Sequence, residues 1–207
     1  MEFWAIITIG SAFLQNMRSA LQKHLKSRMG TTGATFVRFG FGLPFAFLYL
    51  AILQLGFGRP LPVPGLVFAG WAVVGALAQI AATFLLVHLF SFRNFAVGTA
   101  YSRTEPAQAA LIALIFFGET IMAGTFAAIL VSIAGVMLIS VARTTLTPSA
   151  LVTSVLSRTA LIGLASGFFF GLSGTAYRAA SLSLAPTLPA PDAVMQAGYT
   201  LCVVISV

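Results

Sequence analysis

Three residues that could do chemistry stand almost side by side, Arg103, Glu105 and Pro106, inside the apolar stretch 95–119, FAVGTAYSRTEPAQAALIALIFFGE. About 20 residues rising about 1.5 Å each cross the hydrocarbon of a bilayer, so this stretch can span one with an acid near its middle. A charge at that depth costs roughly 3 kcal/mol or more, is normally turned toward the bundle or a wet cavity, and marks a pathway or a proton relay. At about 100° per residue, Gly98, Tyr101, Ser102, Glu105, Gln108, Ala109 and Ile112 share one sector, polar in its middle. Arg103 lies about 160° from Glu105 on the same wheel and cannot pair with it, since partners within a helix are three or four residues apart. Glu105 therefore needs a donor on another helix, a water, or a proton of its own. Pro106 cannot donate to the Ser102 carbonyl, so a kink is expected there, with open backbone beside the carboxyl group. Open backbone at membrane depth is tolerated where it is buried in protein or lines a cavity. The alternative is a purely structural kink with a neutralised ion pair.

The rest of the chain is what would hold these residues in place. Of its 207 residues 59% are hydrophobic and 7% charged, with a mean hydropathy of +1.01, against about a quarter charged in soluble domains. The fold class expected is all-α, a polytopic membrane helix bundle. A net charge of +7 would suggest nucleic acid in a soluble protein. Here the Lys and Arg residues sit at the ends of apolar runs, as membrane proteins place them, and no nucleic-acid partner is expected. The single Cys202 excludes an internal disulfide. His24 and His88 lack metal-binding spacing, and no HExxH, GxSxG or aspartate pair is present, so neither a metal, a cofactor nor an enzyme is expected. The N-terminus lacks a basic n-region and a cleavage pattern, and reads as an uncleaved first span.

Apolar runs fall at 3–21, 32–57, 66–90, 95–117, 121–141, 159–184 and 193–207, about seven spans, the last of which stops in mid-run as if the chain were cut inside a helix. The first carries Gln15, Asn16 and Arg18 and is followed by the basic connection QKHLKSRMG; the second carries Arg38, the nearest candidate partner for Glu105. Small residues and an amide recur at threes and fours in the third (Ala72, Gly75, Ala76, Gln79, Ala82, Thr83), the fifth (Thr125, Ala128, Ser132, Gly135) and the sixth (Gly163, Gly167, Gly171, Gly174). Such stripes let helix backbones approach in lipid. Glu119 opens the fifth helix, where a carboxylate meets the positive end of the dipole.

Shifting the chain by 156 residues lays Ile6, Phe13, Ala20 and Ser27 on Ile162, Phe169, Ala176 and Ser183, and a shift of 158 lays Gly40, Phe41 and Leu43 on Gly198, Tyr199 and Leu201. Five spans in the first unit would make the second enter from the opposite side, an inverted repeat. The expected organisation is a first unit at 1–141, a connection at 142–158 and the start of a second, incomplete unit at 159–207.

The pair Arg38-Phe39, the element Thr104-Glu105-Pro106, and Gly118-Glu119 followed by a small-residue span ending IAGVMLIS together resemble an EamA domain of the drug/metabolite transporter superfamily. That resemblance covers one five-helix domain and the opening of a second. It implies ten helices in two inverted repeats and a transporter, an exporter of amino acids, metabolites or drugs, in the bacterial inner membrane. On that reading Glu105 is the protonatable or substrate-pairing group, Arg38 and Arg103 are its charge partners, and Gln15, Asn16, Gln79, Tyr101 and Gln108 are polar lining. Pro106 and the connection 142–158 would take up the bend. The partners expected are the lipid bilayer and a small organic solute. The alternative is an incomplete subunit that completes its bundle as a homodimer or with a second-half partner. Basic residues in alternate connections place the N-terminus outside by the positive-inside rule, opposite to the orientation usual in the family.

Overall fold

A computed structural model describes residues 3–92, 95–118, 122–141 and 157–207, and every regular element in them is helical. Helix α1 (Phe3–Gly40) contains one residue off the helical region, Gly30 at φ 73°, ψ −178°, a conformation open essentially to glycine alone. The basic segment expected as a connection is therefore helix up to Met29, because its Gln, Lys, Leu, Arg and Met residues are good helix formers and nothing before Gly30 stops them. A straight helix would hold Arg18 and Arg38 about 30 Å apart. They are instead near enough to feel each other's charge, so Gly30 folds α1 into two arms that match the first run and the opening of the second.

The second run breaks again where Gly40-Phe41-Gly42 interrupts the ladder, and α2 (Leu43–Ala51) restarts with Pro44 in its first turn, where the missing N–H costs nothing. It ends in a π-helical turn over Ile52–Gly56. Helix α3 (Leu66–Leu89) follows an extended Gly65. Helices α4 (Phe95–Ser102) and α5 (Glu105–Phe117) divide the fourth run, and Gly118 stops α5 in the left-handed conformation at φ 63°. Helix α6 (Ala123–Val141) is followed by α7 (Arg158–Ser183), whose first turn is capped by Ser157, and by α8 (Ala193–Ser206), capped by Asp192. The stretches Ala5–Gly56, Leu66–Leu89 and Arg158–Thr187 are each long and apolar enough to cross a membrane.

Helix α7 is the axis of the packing, with α3 along one side and α4 and α5 along another. The small-residue stripes face inward here: Ala72, Gly75, Ala76, Ala82 and Thr83 of α3 are buried, as are Gly163, Gly167 and Gly171 of α7, while Gly174 is exposed. A Cβ on Gly75 would lie 2.6 Å from the Tyr177 ring, and one on Gly171 would lie 3.0 Å from the Ala109 nitrogen. In lipid such close backbone approach, rather than a hydrophobic drive between helices, supplies the attraction. Phe68, Ala72, Ala76, Ala180, Leu184 and Val204 form the largest core cluster. The stripe expected on the fifth run behaves differently. Ala128 is exposed, and a Cβ on Gly135 would meet nothing within 4 Å, because the described part of α6 touches its neighbours only lightly along α4 and α5.

The two ends of the bundle are tied by different chemistry. At one, Lys26 donates to Ser91 Oγ and the Arg158 guanidinium lies 5.7 Å from the Phe92 ring. At the other, Arg59 pairs with Asp192 at 2.6 Å and the Val63 N–H donates to Thr187 Oγ1 at 3.3 Å. Alternate connections thus share an end, as an up-and-down bundle requires.

Candidate functional site

The interruption between α4 and α5 falls at Arg103–Thr104, ahead of Pro106. The Arg103 N–H reaches the Thr99 and Ala100 carbonyls at 3.2 and 3.0 Å, and Thr104 closes a tighter turn on Tyr101 at 3.1 Å. Pro106 then sits in the first turn of α5, so it marks the start of a new helix rather than a kink inside one. Glu105 opens that helix, half-buried, with Arg103 and Arg38 acting on it electrostatically. Arg18 adds a third guanidinium, close enough to repel both Arg103 and Arg38. Arg103 itself is exposed and reaches Asn16 Oδ1 at 3.4 Å, while the Asn16 amide donates to the Ala12 carbonyl at 3.0 Å.

Arg38 does not close an ion pair with Glu105. Its guanidinium donates to Thr83 Oγ1 at 2.8 Å and stacks near the Phe39 and Phe170 rings, at 5.4 and 5.6 Å. From there a polar seam runs through the buried face of α3 and α7. Thr83 donates to the Gln79 carbonyl at 2.8 Å, Ser173 donates to Gln79 Oε1 at 2.8 Å, and Ser166 donates to the Ala82 carbonyl at 2.9 Å. The Ser102 and Ser166 hydroxyls lie 3.2 Å apart, which carries the seam onto α4. Each buried polar group here has a partner, as the low dielectric of a membrane interior demands.

Beside this seam lies a cavity of about 530 Å³ lined by Tyr101, Thr104, Gln108, Leu164, Phe168 and Phe169, among others. Its polar rim is ordered within α4 and α5: Thr104 Oγ1 donates to the Tyr101 carbonyl at 2.7 Å, and the Gln108 amide donates to Thr104 Oγ1 at 2.6 Å and to the Leu164 carbonyl at 3.4 Å. Gly167 makes the fit possible, since a Cβ there would lie 3.0 Å from the Ser102 carbonyl and 3.1 Å from Gln108 Nε2.

The single sector drawn through 98–112 divides between two faces. Tyr101, Thr104 and Gln108 face the cavity, Ser102 and Ala109 face α7, and Glu105 is not among the cavity-lining residues. Gln79 belongs to the packing seam, where its oxygen is already taken by Ser173. Gln15 lies on a part of α1 that is exposed from Ile6 to Met17, outside the packed bundle. Thr104 was noted from the sequence only as part of the Thr104-Glu105-Pro106 element, and Ser166 and Ser173 were not singled out. The two serines lie seven residues apart on the face of the α7 glycines, and that spacing was the signal for them. Glu119 lies outside the described residues.

A model of the EamA-like transporter family matches residues 2–141 of the chain. No curated protein and no solved structure matches it.

Proposed function

Since the chain belongs to the EamA-like transporter family, and so to the membrane transporters of the drug/metabolite superfamily, we propose that it is a secondary exporter of a small organic solute. The bacterial inner membrane is its proposed place, and Glu105 its coupling group. The observation that supports this is the half-buried Glu105 at a helix break, with two arginines acting on it and a cavity against the next turns of the same helices. An acid held at membrane depth without an ion pair can exchange a proton or a charged partner, which a neutralised structural pair cannot do as readily. Arg38 and Arg103 set the field around it; Tyr101 and Gln108 line the adjoining cavity, and the break ahead of Pro106 is the point where α5 can tilt against α4. The organisation proposed with it is a first repeat at 1–141, a connection at 142–158 and the start of an inverted second repeat at 159–207, with solute bound between the halves.

The test is proton-driven flux in proteoliposomes. Glu105→Gln is expected to abolish flux while leaving insertion and thermal unfolding unchanged, and undiminished flux removes Glu105 from the mechanism.

A second reading, a subunit that completes its bundle with a homodimeric or other partner, is favoured by α6, whose Ala128 and Gly135 are left open. Native mass spectrometry in detergent separates the two, because a monomer competent for flux excludes the subunit.

A further inference from the structure

We propose that Arg18, Arg38, Arg103 and the Gln22 amide together bind an oxyanion, a carboxylate or phosphate group. The proposal rests on the carrier reading above and gives the solute its chemical class. Two independent observations lead to it. The first is a charge imbalance: Arg18 lies within the field of both Arg38 and Arg103, and the one carboxylate acting on this group, Glu105, answers Arg38 and Arg103. Among the described residues the ion pair is Arg59–Asp192, at the far end of the bundle. The second is a set of unmet hydrogen bonds. Gln22 is 4% exposed, yet neither its Nε2 nor its Oε1 has a partner, and the Nε of Arg18 is also buried without one.

Arg18 and Gln22 are four residues apart, on one face of one helix turn. Buried donors without acceptors are costly, and here they are concentrated where positive charge is in excess. A guanidinium presents two parallel N–H groups that fit a carboxylate or phosphate edge, and the Gln22 amide adds a third donor. A neutral solute would leave the excess charge unanswered, and a cation would be repelled by three guanidinium groups facing one carboxylate. The same chemistry could arrive on a soluble organic anion or on the headgroup of an anionic lipid.

Thermal unfolding of the purified full chain in phosphatidylcholine nanodiscs, followed by the fluorescence of Trp4 and Trp71, tests this. Phenylacetate and inorganic phosphate are the anionic probes, and phenylacetamide is the neutral match. One or both anions are expected to raise Tm by about 3 °C or more at roughly ten times Kd, with no rise for phenylacetamide. The rise should vanish in Arg18→Gln. Gln22→Leu, which removes two unpartnered polar atoms, should raise the Tm of the unliganded protein and shrink the response to the anions. Stabilisation by phosphatidylglycerol nanodiscs without any response to the soluble probes supports the site and assigns it to a lipid headgroup. Equal shifts with phenylacetate and phenylacetamide, an undiminished response in Arg18→Gln, or no response to any anionic probe or lipid overturns the proposal. The result also separates it from the carrier reading: flux without anion stabilisation sinks this site alone, and anion stabilisation without flux sustains it while removing the carrier.

Discussion

The Arg38 guanidinium donates to Thr83 Oγ1 across the interface of α1 and α3, and the same hydroxyl donates to the carbonyl of Gln79 one turn earlier, both at 2.8 Å. One fully buried hydroxyl thus orients the arginine whose charge acts on Glu105. Thr83→Val keeps the shape and removes both bonds, leaving a charged donor without its acceptor. The loss expected is about 1.5–3 kcal/mol, the range for hydrogen bonds to charged groups, read by denaturant unfolding in detergent micelles. A change below about 0.5 kcal/mol would show that water or another acceptor replaces Thr83.

Gly75 and Gly174 give a paired test of the close packing between α3 and α7. A methyl at Gly75 runs into the Tyr177 ring at 2.6 Å, whereas one at Gly174 meets nothing within 4 Å. Gly75→Ala is expected to lose about 1–3 kcal/mol through overpacking. Gly174→Ala should be neutral or gain up to about 1 kcal/mol from helix propensity. Equal effects at the two sites would mean that the stripe does not govern this contact.

Arg59 and Asp192 hold the opposite end, and the two residues are not equivalent. Asp192 also accepts the Met195 N–H at 3.0 Å and so caps α8. Arg59→Ala removes only a partly exposed ion pair, expected to be worth about 1 kcal/mol or less and to fade at high salt. Asp192→Ala removes the pair and the cap together and should cost about 1 kcal/mol more. Thermal unfolding at low and high salt reads both quantities, and equal losses for the two variants would show the cap to be idle.

The cavity beside Tyr101 and Gln108 can be closed from α7. Ala165 is half-buried and lines it. Ala165→Trp should fill much of the 530 Å³ and lower solute flux at least about tenfold, equivalent to about 1.4 kcal/mol on the rate-limiting barrier. Insertion and unfolding should be preserved. Wild-type flux in this variant would place the solute path elsewhere.

Much of the scaffold was legible in the residues themselves. Stripes of Gly, Ala, Ser and Thr at threes and fours point to contact in lipid whatever the neighbour, so the inner faces of α3 and α7 could be drawn before the fold was known. The stripe on the fifth run follows the same rule of spacing and yet lies open in its described part, because spacing states that a helix can be approached, not that another helix arrives. The site was less legible for a local reason. One helical phase through 98–112 put Glu105 on the face of Tyr101 and Gln108, whereas the packing turns Tyr101, Thr104 and Gln108 to the cavity and leaves Glu105 out of its lining. Gln22 and Arg18 gave little signal from sequence, since long polar side chains near a helix end ordinarily reach out to water. What marks them is burial without partners, which only the packing reveals.

The elbow at Gly30 leaves the two arms of α1 without a loop between them, one residue doing the work of a connection. Such a hairpin has no slack, so both arms would have to enter the bilayer as a linked pair. A single residue added after Met29 would turn the second arm by about 100° and carry Arg38 off the acceptor that now aims it.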